Sequence, residues 1–160
     1  MSGPASFATH GPGETRRLGA RLGRLLRPGD AVLLSGDLGA GKTVFVQGIA
    51  RGMGFEGSVS SKSFVLLGEY QGRHCKLYHA DLYRLEEPEQ VAELALDELA
   101  ATGVLVVEWP ERAMQEMPAE RLHLQLRYDG ARGRIIDIRA DGERYDAIAR
   151  RLAPRVKKRV

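Results

Sequence analysis

Gly36-Asp37-Leu38-Gly39-Ala40-Gly41-Lys42-Thr43 has the form G-x-x-x-x-G-K-[ST], the signature of a loop that cradles phosphate. The stretches on either side of it indicate the fold. Before it, Ala31-Val32-Leu33-Leu34 is an unbroken apolar run and predicts a buried strand. After it, Val44-Phe45-Val46-Gln47-Gly48-Ile49-Ala50-Arg51 predicts a helix. Strand, glycine-rich turn and helix aim successive backbone N–H groups and a helix N-terminus at one point, which favours an anion there. Glycine lets the backbone wrap where a Cβ would clash. The backbone of Asp37, Leu38, Gly39, Ala40 and Gly41 is therefore expected to hold phosphate. Lys42 is expected to neutralise the β- and γ-phosphates, and the Thr43 hydroxyl to hold Mg²⁺. The plain alternative is a chance match in a glycine-rich turn, against which the flanking strand and helix argue.

Outward from the loop, the chain alternates strand and helix patterns. Upstream, Ala5 to Thr9 suggests a short strand in a loose lead-in. Glu14 to Leu26 predicts an amphipathic helix with Leu18, Leu22, Leu25 and Leu26 on one face. Downstream, Gly57 to Ser63 is a polar loop. Phe64 to Tyr70 and Cys75 to His79 predict a hairpin about Gln71-Gly72-Arg73. Pro88 to Ala100 predicts one helix with proline in its first turn. Gly103 then opens Val104-Leu105-Val106-Val107, which shows no polar alternation and predicts a strand buried on both faces, as in a helix-covered parallel sheet. Arg121 to Tyr128 and Arg134 to Ala140 alternate about Asp129-Gly130-Ala131-Arg132-Gly133 and predict a half-buried hairpin. Glu143 to Leu152 predicts a last amphipathic helix. The pattern indicates one α/β domain over residues 1–152 with some antiparallel pairing, followed by a basic tail at 153–160.

Composition sets the class. At 160 residues the chain is long enough for one domain with a real core. Hydrophobic residues at 43% and charged residues at 28% are ordinary for a soluble protein. No apolar run approaches the roughly 18 residues of a membrane span, so no membrane association is expected. Met1 to Ser6 lacks the basic-then-apolar layout of a signal peptide. Cys75 is the sole cysteine, which excludes a disulfide framework and a cysteine-based metal site. It fits a strand filler better than a nucleophile. A cytoplasmic location is expected from these features. Net charge is +3, but Arg150 to Val160 holds six basic residues and no acid, whereas Glu86, Glu87, Glu89, Glu93, Asp97 and Glu98 form an acidic stretch. The tail could meet RNA phosphates or an acidic partner, or be a frayed, solvated terminus.

Magnesium takes oxygen ligands and keeps several waters, and an acid ending a neighbouring buried strand is the usual supplement to a phosphate loop. Glu108, after Val104–Val107, fits that place, because ligands of open α/β sheets bind at the carboxyl ends of strands; otherwise it is an exposed strand-terminal acid. Asp81, within Leu77-Tyr78-His79-Ala80-Asp81-Leu82-Tyr83-Arg84, could orient the attacking water or hold a metal-bound one, or could cap a turn. Arg84 could pair with Asp81 or a phosphate. GTPases read guanine with an Asn-Lys-x-Asp segment, and this chain has no asparagine, which favours ATP.

The phosphate loop, His79-x-Asp81-x-Tyr83-Arg84 and Glu108-Trp109-Pro110 stand in the order and spacing of the TsaE (YjeE) family, and the chain resembles that family over nearly its whole length. The resemblance implies a three-layer phosphate-loop fold with a mixed parallel and antiparallel sheet. It implies ATP and Mg²⁺, with Lys42 on phosphate, Thr43 and Glu108 on the metal, Asp81 tied to hydrolysis and Trp109 beside the nucleotide. Thr15 matches a position near the base, and Arg134 one that approaches the nucleotide. It further implies TsaB and TsaD as partners, transfer RNA threonylcarbamoyladenosine as the pathway product, and an ATP cycle that resets the partner complex. Transfer RNA is then involved indirectly, and direct contact with it, through the basic tail, stays open. One departure stands out: the family usually has Ser-Pro-Thr after the phosphate-loop helix, and this chain has Ser61-Lys62-Ser63. Ser61 and Ser63 keep the hydroxyls that could meet phosphate, while the loss of proline removes a fixed φ.

Two rival readings use the same loop. A small-molecule kinase needs an arginine-bearing lid and an acceptor pocket, and Arg112 and Arg132 are its nearest candidates, in separate short segments with no lid-sized insertion. A nucleotide-gated binding module would hydrolyse only incidentally.

Overall fold

In a computed structural model of the chain, residues 5–59 and 67–153 are described. The elements run β1 (Ala5–Thr9), α1 (Pro12–Leu25), β2 (Ala31–Gly36), α2 (Lys42–Gly52), β3 (Leu67–Gln71) and β4 (Lys76–Asp81). They continue with α3 (Glu89–Ala92), α4 (Leu96–Thr102), β5 (Gly103–Glu108), a 3-10 segment (Pro110–Glu116), β6 (Arg121–Asp129), β7 (Gly133–Asp141) and α5 (Glu143–Leu152). All seven strands join one sheet in the order β1-β7-β6-β2-β5-β4-β3. The central strands β6, β2, β5 and β4 are parallel, and β3, β7 and β1 pair antiparallel at the two sides. The mixed three-layer α/β sandwich expected from the sequence is the observed fold.

The sheet is covered on both faces, and strand periodicity shows which residues meet which layer. Val32 and Leu34 of β2 and Val104 and Val106 of β5 face the core beneath α1, α2 and α5, which supply Leu22, Phe45, Ile49 and Ile148. Ala31, Leu33, Leu105 and Val107 face the other way, against Val91, Leu96 and Ala100 of α3 and α4. Both central strands are buried at every position, as the unbroken apolar runs predict.

Helices α1 and α2 approach closely through glycine. A Cβ at Gly48 would stand 2.2 Å from the Arg16 carbonyl oxygen, and one at Gly52 2.2 Å from that of Ala20. From the α1 side, a Cβ at Gly19 would stand 2.5 Å from the Phe45 oxygen. This contact fixes the axis of α2, and with it the start of that helix, where Lys42 and Thr43 sit.

The structure revises two expectations. The single helix over Pro88–Ala100 is two pieces, broken at Ala95, which takes φ 50 and ψ 56. Val91 and Leu96 are both buried, yet five residues apart on an unbroken helix they would point in directions about 140° apart. The break brings both onto the sheet. Strand β4 runs past His79 to Asp81, so Leu77, His79 and Asp81 share the face beneath α2. The Ser61-Lys62-Ser63 segment, the Phe64–Leu66 part of the predicted hairpin strand and the basic tail beyond Ala153 lie outside the described residues.

Candidate functional site

The octapeptide leaves the carboxyl end of β2 and turns into α2. Gly39 and Gly41 take φ of 80° and 100°, a left-handed backbone that side-chain-bearing residues rarely adopt. Lys42 folds back over the loop. Its ammonium donates to the Gly36 and Asp37 carbonyl oxygens at 2.5 and 2.9 Å and lies 4.3 Å from the centre of the Trp109 ring. The residue is only 5% exposed. Burial lowers its pKa from the ordinary lysine value, against which Glu108, then Glu111, Asp81 and Asp37 pull upward. A buried ammonium held by neutral carbonyls and a ring is poised for anionic oxygens.

Glu108 is not an exposed strand-terminal acid: it is 2% exposed. Strand register places it opposite Leu34 of β2 and Asp81 of β4, so the three parallel strands end together. Its Oε1 stands 3.4 Å from Thr43 Oγ1 and its Oε2 2.5 Å from His79 Nε2. Asp81 lies on the same side, with its Oδ1 accepting from the Tyr83 N–H at 3.0 Å. That bond is a local turn contact of the kind expected for a cap, and the same side chain also lines the cleft. Trp109 follows Glu108 at φ 59, and this turn swings its ring over Lys42 and against Tyr83, 4.9 Å between ring centres.

Lys42, Thr43, Asp81, Tyr83, Glu108 and Trp109, with the loop backbone at Gly39 and Gly41, line one cleft of about 260 Å³. The structure thus brings together the loop, Lys42, Thr43, Asp81, Glu108 and Trp109. On the far side of the loop a smaller cleft of about 180 Å³ is lined by Pro12, Thr15, Val44, Arg132 and Arg134 and shares Gly39 and Gly41. Thr15 is buried there, its hydroxyl 2.7 Å from that of Thr9. Arg134 is turned onto the loop: its Nε and one terminal nitrogen donate to the Ala40 and Gly39 carbonyls at 3.1 and 3.3 Å. Ser61 and Ser63 fall outside the described residues.

The donor set fits a magnesium nucleotide. A hydroxyl and a carboxylate face each other at the mouth of a phosphate-type loop, and both are hard oxygen ligands. Among the described residues no group of three His, Cys, Asp or Glu could cage an ion unaided. Magnesium is ordinarily bound through one or two protein oxygens, phosphates and water. Thr43 and Glu108 would hold the ion in that arrangement.

Three contacts have no counterpart in the sequence reading. Tyr128 donates its hydroxyl to the Leu38 carbonyl at 2.7 Å and stacks beneath the Arg134 guanidinium, 4.4 Å from the ring centre. Ser35, just ahead of the loop, joins Glu111 and His123 at 3.1 and 2.8 Å. His79 bonds Glu108. Period-two spacing within the predicted strand puts His79 on the face of Leu77, beneath α2, but its meeting with Glu108 depends on the β4–β5 register. Nothing local signals the other two. Among the described residues no helix is long and apolar enough to cross a membrane.

The sequence profile of a family described as "Threonylcarbamoyl adenosine biosynthesis protein TsaE" matches residues 9–136. The chain is 37% identical over 148 residues to the tRNA threonylcarbamoyladenosine biosynthesis protein TsaE of Bacillus subtilis, covering 92% of each. It is 40% identical over 137 residues to the protein of that name from Treponema pallidum, covering 85% of this chain and 93% of the other. Among solved structures it is similar to YdiB of Bacillus subtilis, with a TM-score of 0.79 at 34% identity and 95% of both chains covered.

Proposed function

Because this chain belongs to the TsaE family and so has a role in threonylcarbamoyladenosine biosynthesis, we propose that it is an ATPase serving that modification of transfer RNA. In this reading it binds ATP with Mg²⁺, hydrolyses it slowly, and resets a TsaB–TsaD partner complex in the cytoplasm. The observation that carries the proposal is the convergence of Lys42, Thr43, Asp81 and Glu108 on one cleft at the ends of three parallel strands.

The residues divide the work. Loop N–H groups and Lys42 bind the phosphates. Thr43 and Glu108 hold the metal, whose bound charge supplies neutralisation of the phosphate oxygens. Asp81 orients the attacking water. Trp109 and Tyr83 pack against each other and wall one side of the cleft. The absence of asparagine favours adenine over guanine. Slow turnover by the isolated chain follows from phosphoryl-transfer chemistry, where an arginine supplied by a partner is worth roughly 10³–10⁵ in rate.

The test is Lys42→Ala, which should abolish ATP turnover, together with co-purification and turnover in the presence of TsaB and TsaD in ATP and in ADP. Wild-type turnover by the lysine variant would overturn the site. ADP release stimulated by a metabolite and not by the partner proteins would favour a kinase.

A further inference from the structure

His79 lies on β4 on the face beneath α2 and is 5% exposed. Its register partner on β5 is Val106, and Glu108 is the next residue along that face. From this diagonal place the imidazole Nε2 reaches Glu108 Oε2 at 2.5 Å. An ionised carboxylate only accepts hydrogen bonds, so the imidazole donates. The remaining oxygen, Oε1, faces Thr43 Oγ1 at 3.4 Å, long for an O–H···O bond. One oxygen of Glu108 is therefore tethered from the strand side. The other stands across a gap from the loop hydroxyl and is available to a ligand between them.

We propose that His79 is a positioning residue that locks the Glu108 carboxylate so that Oε1 is presented to a divalent cation at Thr43. The proposal rests on the reading that Thr43 and Glu108 hold Mg²⁺. A free glutamate side chain has several rotatable bonds and loses rotamer freedom when it engages a ligand. With Oε2 already fixed, that loss is incurred on folding rather than on metal binding. Outer hydrogen bonds of this kind typically change metal affinity 10–100-fold when removed. A buried histidine retained only for packing predicts something different, because its loss would disturb nucleotide binding with and without metal alike.

Trp109 is the one tryptophan of the chain and borders the cleft, so its fluorescence reports binding directly. The experiment titrates a non-hydrolysable ATP analogue in EDTA, then titrates Mg²⁺ at saturating analogue. It uses wild type, His79→Leu, His79→Gln, Glu108→Gln and the Leu/Gln double variant, each checked by thermal melting. The expected result has analogue affinity in EDTA within about twofold of wild type throughout. The Mg²⁺ midpoint rises about tenfold or more in His79→Leu, and much of it is recovered in His79→Gln, which keeps a side-chain N–H. His79→Leu should add nothing in the Glu108→Gln background. A shifted midpoint in Glu108→Gln with an unshifted one in His79→Leu overturns the positioning role while leaving the metal reading intact. An unshifted midpoint in Glu108→Gln overturns the metal reading and the proposal with it. Equal losses with and without Mg²⁺ in His79→Leu also overturn the proposal. If His79→Leu fails to fold, His79→Phe, which also lacks a side-chain N–H, takes its place with the same expected and overturning results.

Discussion

The two sides of the phosphate loop are built differently. On one side β4 and β5 end together and present Asp81, Glu108 and Trp109, with Glu108 2% exposed and Lys42 5% exposed. On the other, the β6–β7 hairpin overruns the end of β2, where Gly36 pairs with Leu126. The overrun carries Tyr128 and its cross-strand partner Arg134 to the carbonyls of Leu38, Gly39 and Ala40. Tyr128 is 48% exposed and Leu38 66%. The first side holds charges in low dielectric, where electrostatic interactions are strong and geometry is set by the core. The second braces the loop through neutral carbonyl acceptors, and its bonds to the Leu38 and Gly39 carbonyls are open to water, where a bond is worth little net free energy. Substitutions on the first side should therefore act on chemistry, and those on the second on loop shape.

Glu108→Ala tests the buried side most sharply. Mg²⁺-dependent turnover is expected to fall about a hundredfold or more, equivalent to about 2.7 kcal/mol in the barrier, with analogue binding in EDTA retained. Removing this carboxylate also takes away the largest of the charges that hold the Lys42 pKa up against burial. Single-turnover hydrolysis across a Mg²⁺ series would measure it, and a variant as fast as wild type would erase the distinction between the two sides.

Both sides depend on α2 keeping its axis, which Gly48→Ala attacks. The added methyl meets the Arg16 carbonyl at 2.2 Å. Backbone cannot swing aside as a flexible side chain can, so α1 and α2 must separate. Overpacking of this kind costs about 1–3 kcal/mol, which denaturant titration would resolve. An unchanged midpoint would show that the helix pair is looser than the structure places it.

Tyr128→Phe probes the exposed side. Loss of the hydroxyl frees the Leu38 carbonyl, but water can reach it, so the cost falls at the low end of about 0.5–1.5 kcal/mol. A several-fold weaker analogue affinity with an unaltered single-turnover rate is expected. A rate loss as large as that of Glu108→Ala would place Tyr128 in the chemistry and collapse the comparison.

The buried side was legible in the sequence because its determinants are local. The octapeptide is contiguous, Glu108 ends a run with no polar alternation, and Asp81 leaves a strand beside it. The hairpin side was not, because Tyr128 and Leu38 are 90 residues apart and meet only through the β2–β6 register. Thr15 and Arg134 came from family resemblance, and no spacing in the chain places them. The break at Ala95 lacked the glycine or proline that usually marks one, and tertiary burial of Val91 and Leu96 overrode local helix preference.

Beneath the loop the two sides are tied by Ser35, which precedes Gly36, by Glu111, two residues past Trp109, and by His123 of the strand that carries Tyr128. Ser35 donates its single hydroxyl proton to Glu111, so its oxygen accepts from His123 Nε2. Burial, and then Arg121, lower the His123 pKa below its ordinary 6.5, with Arg139 adding to them and Glu111 and Asp141 opposing. The unfolded chain therefore takes up this proton before the folded one does. Stability from neutral His123 is fully present above about pH 6.5 and is lost as pH falls, until the folded group titrates too. His123→Gln should flatten that part of the slope. The difference between wild-type and variant denaturation midpoints at each pH isolates His123. That difference should change between pH 7 and pH 5, the smallest effect predicted here, and a difference constant across that range would show that the tie between the two sides does not sense protonation.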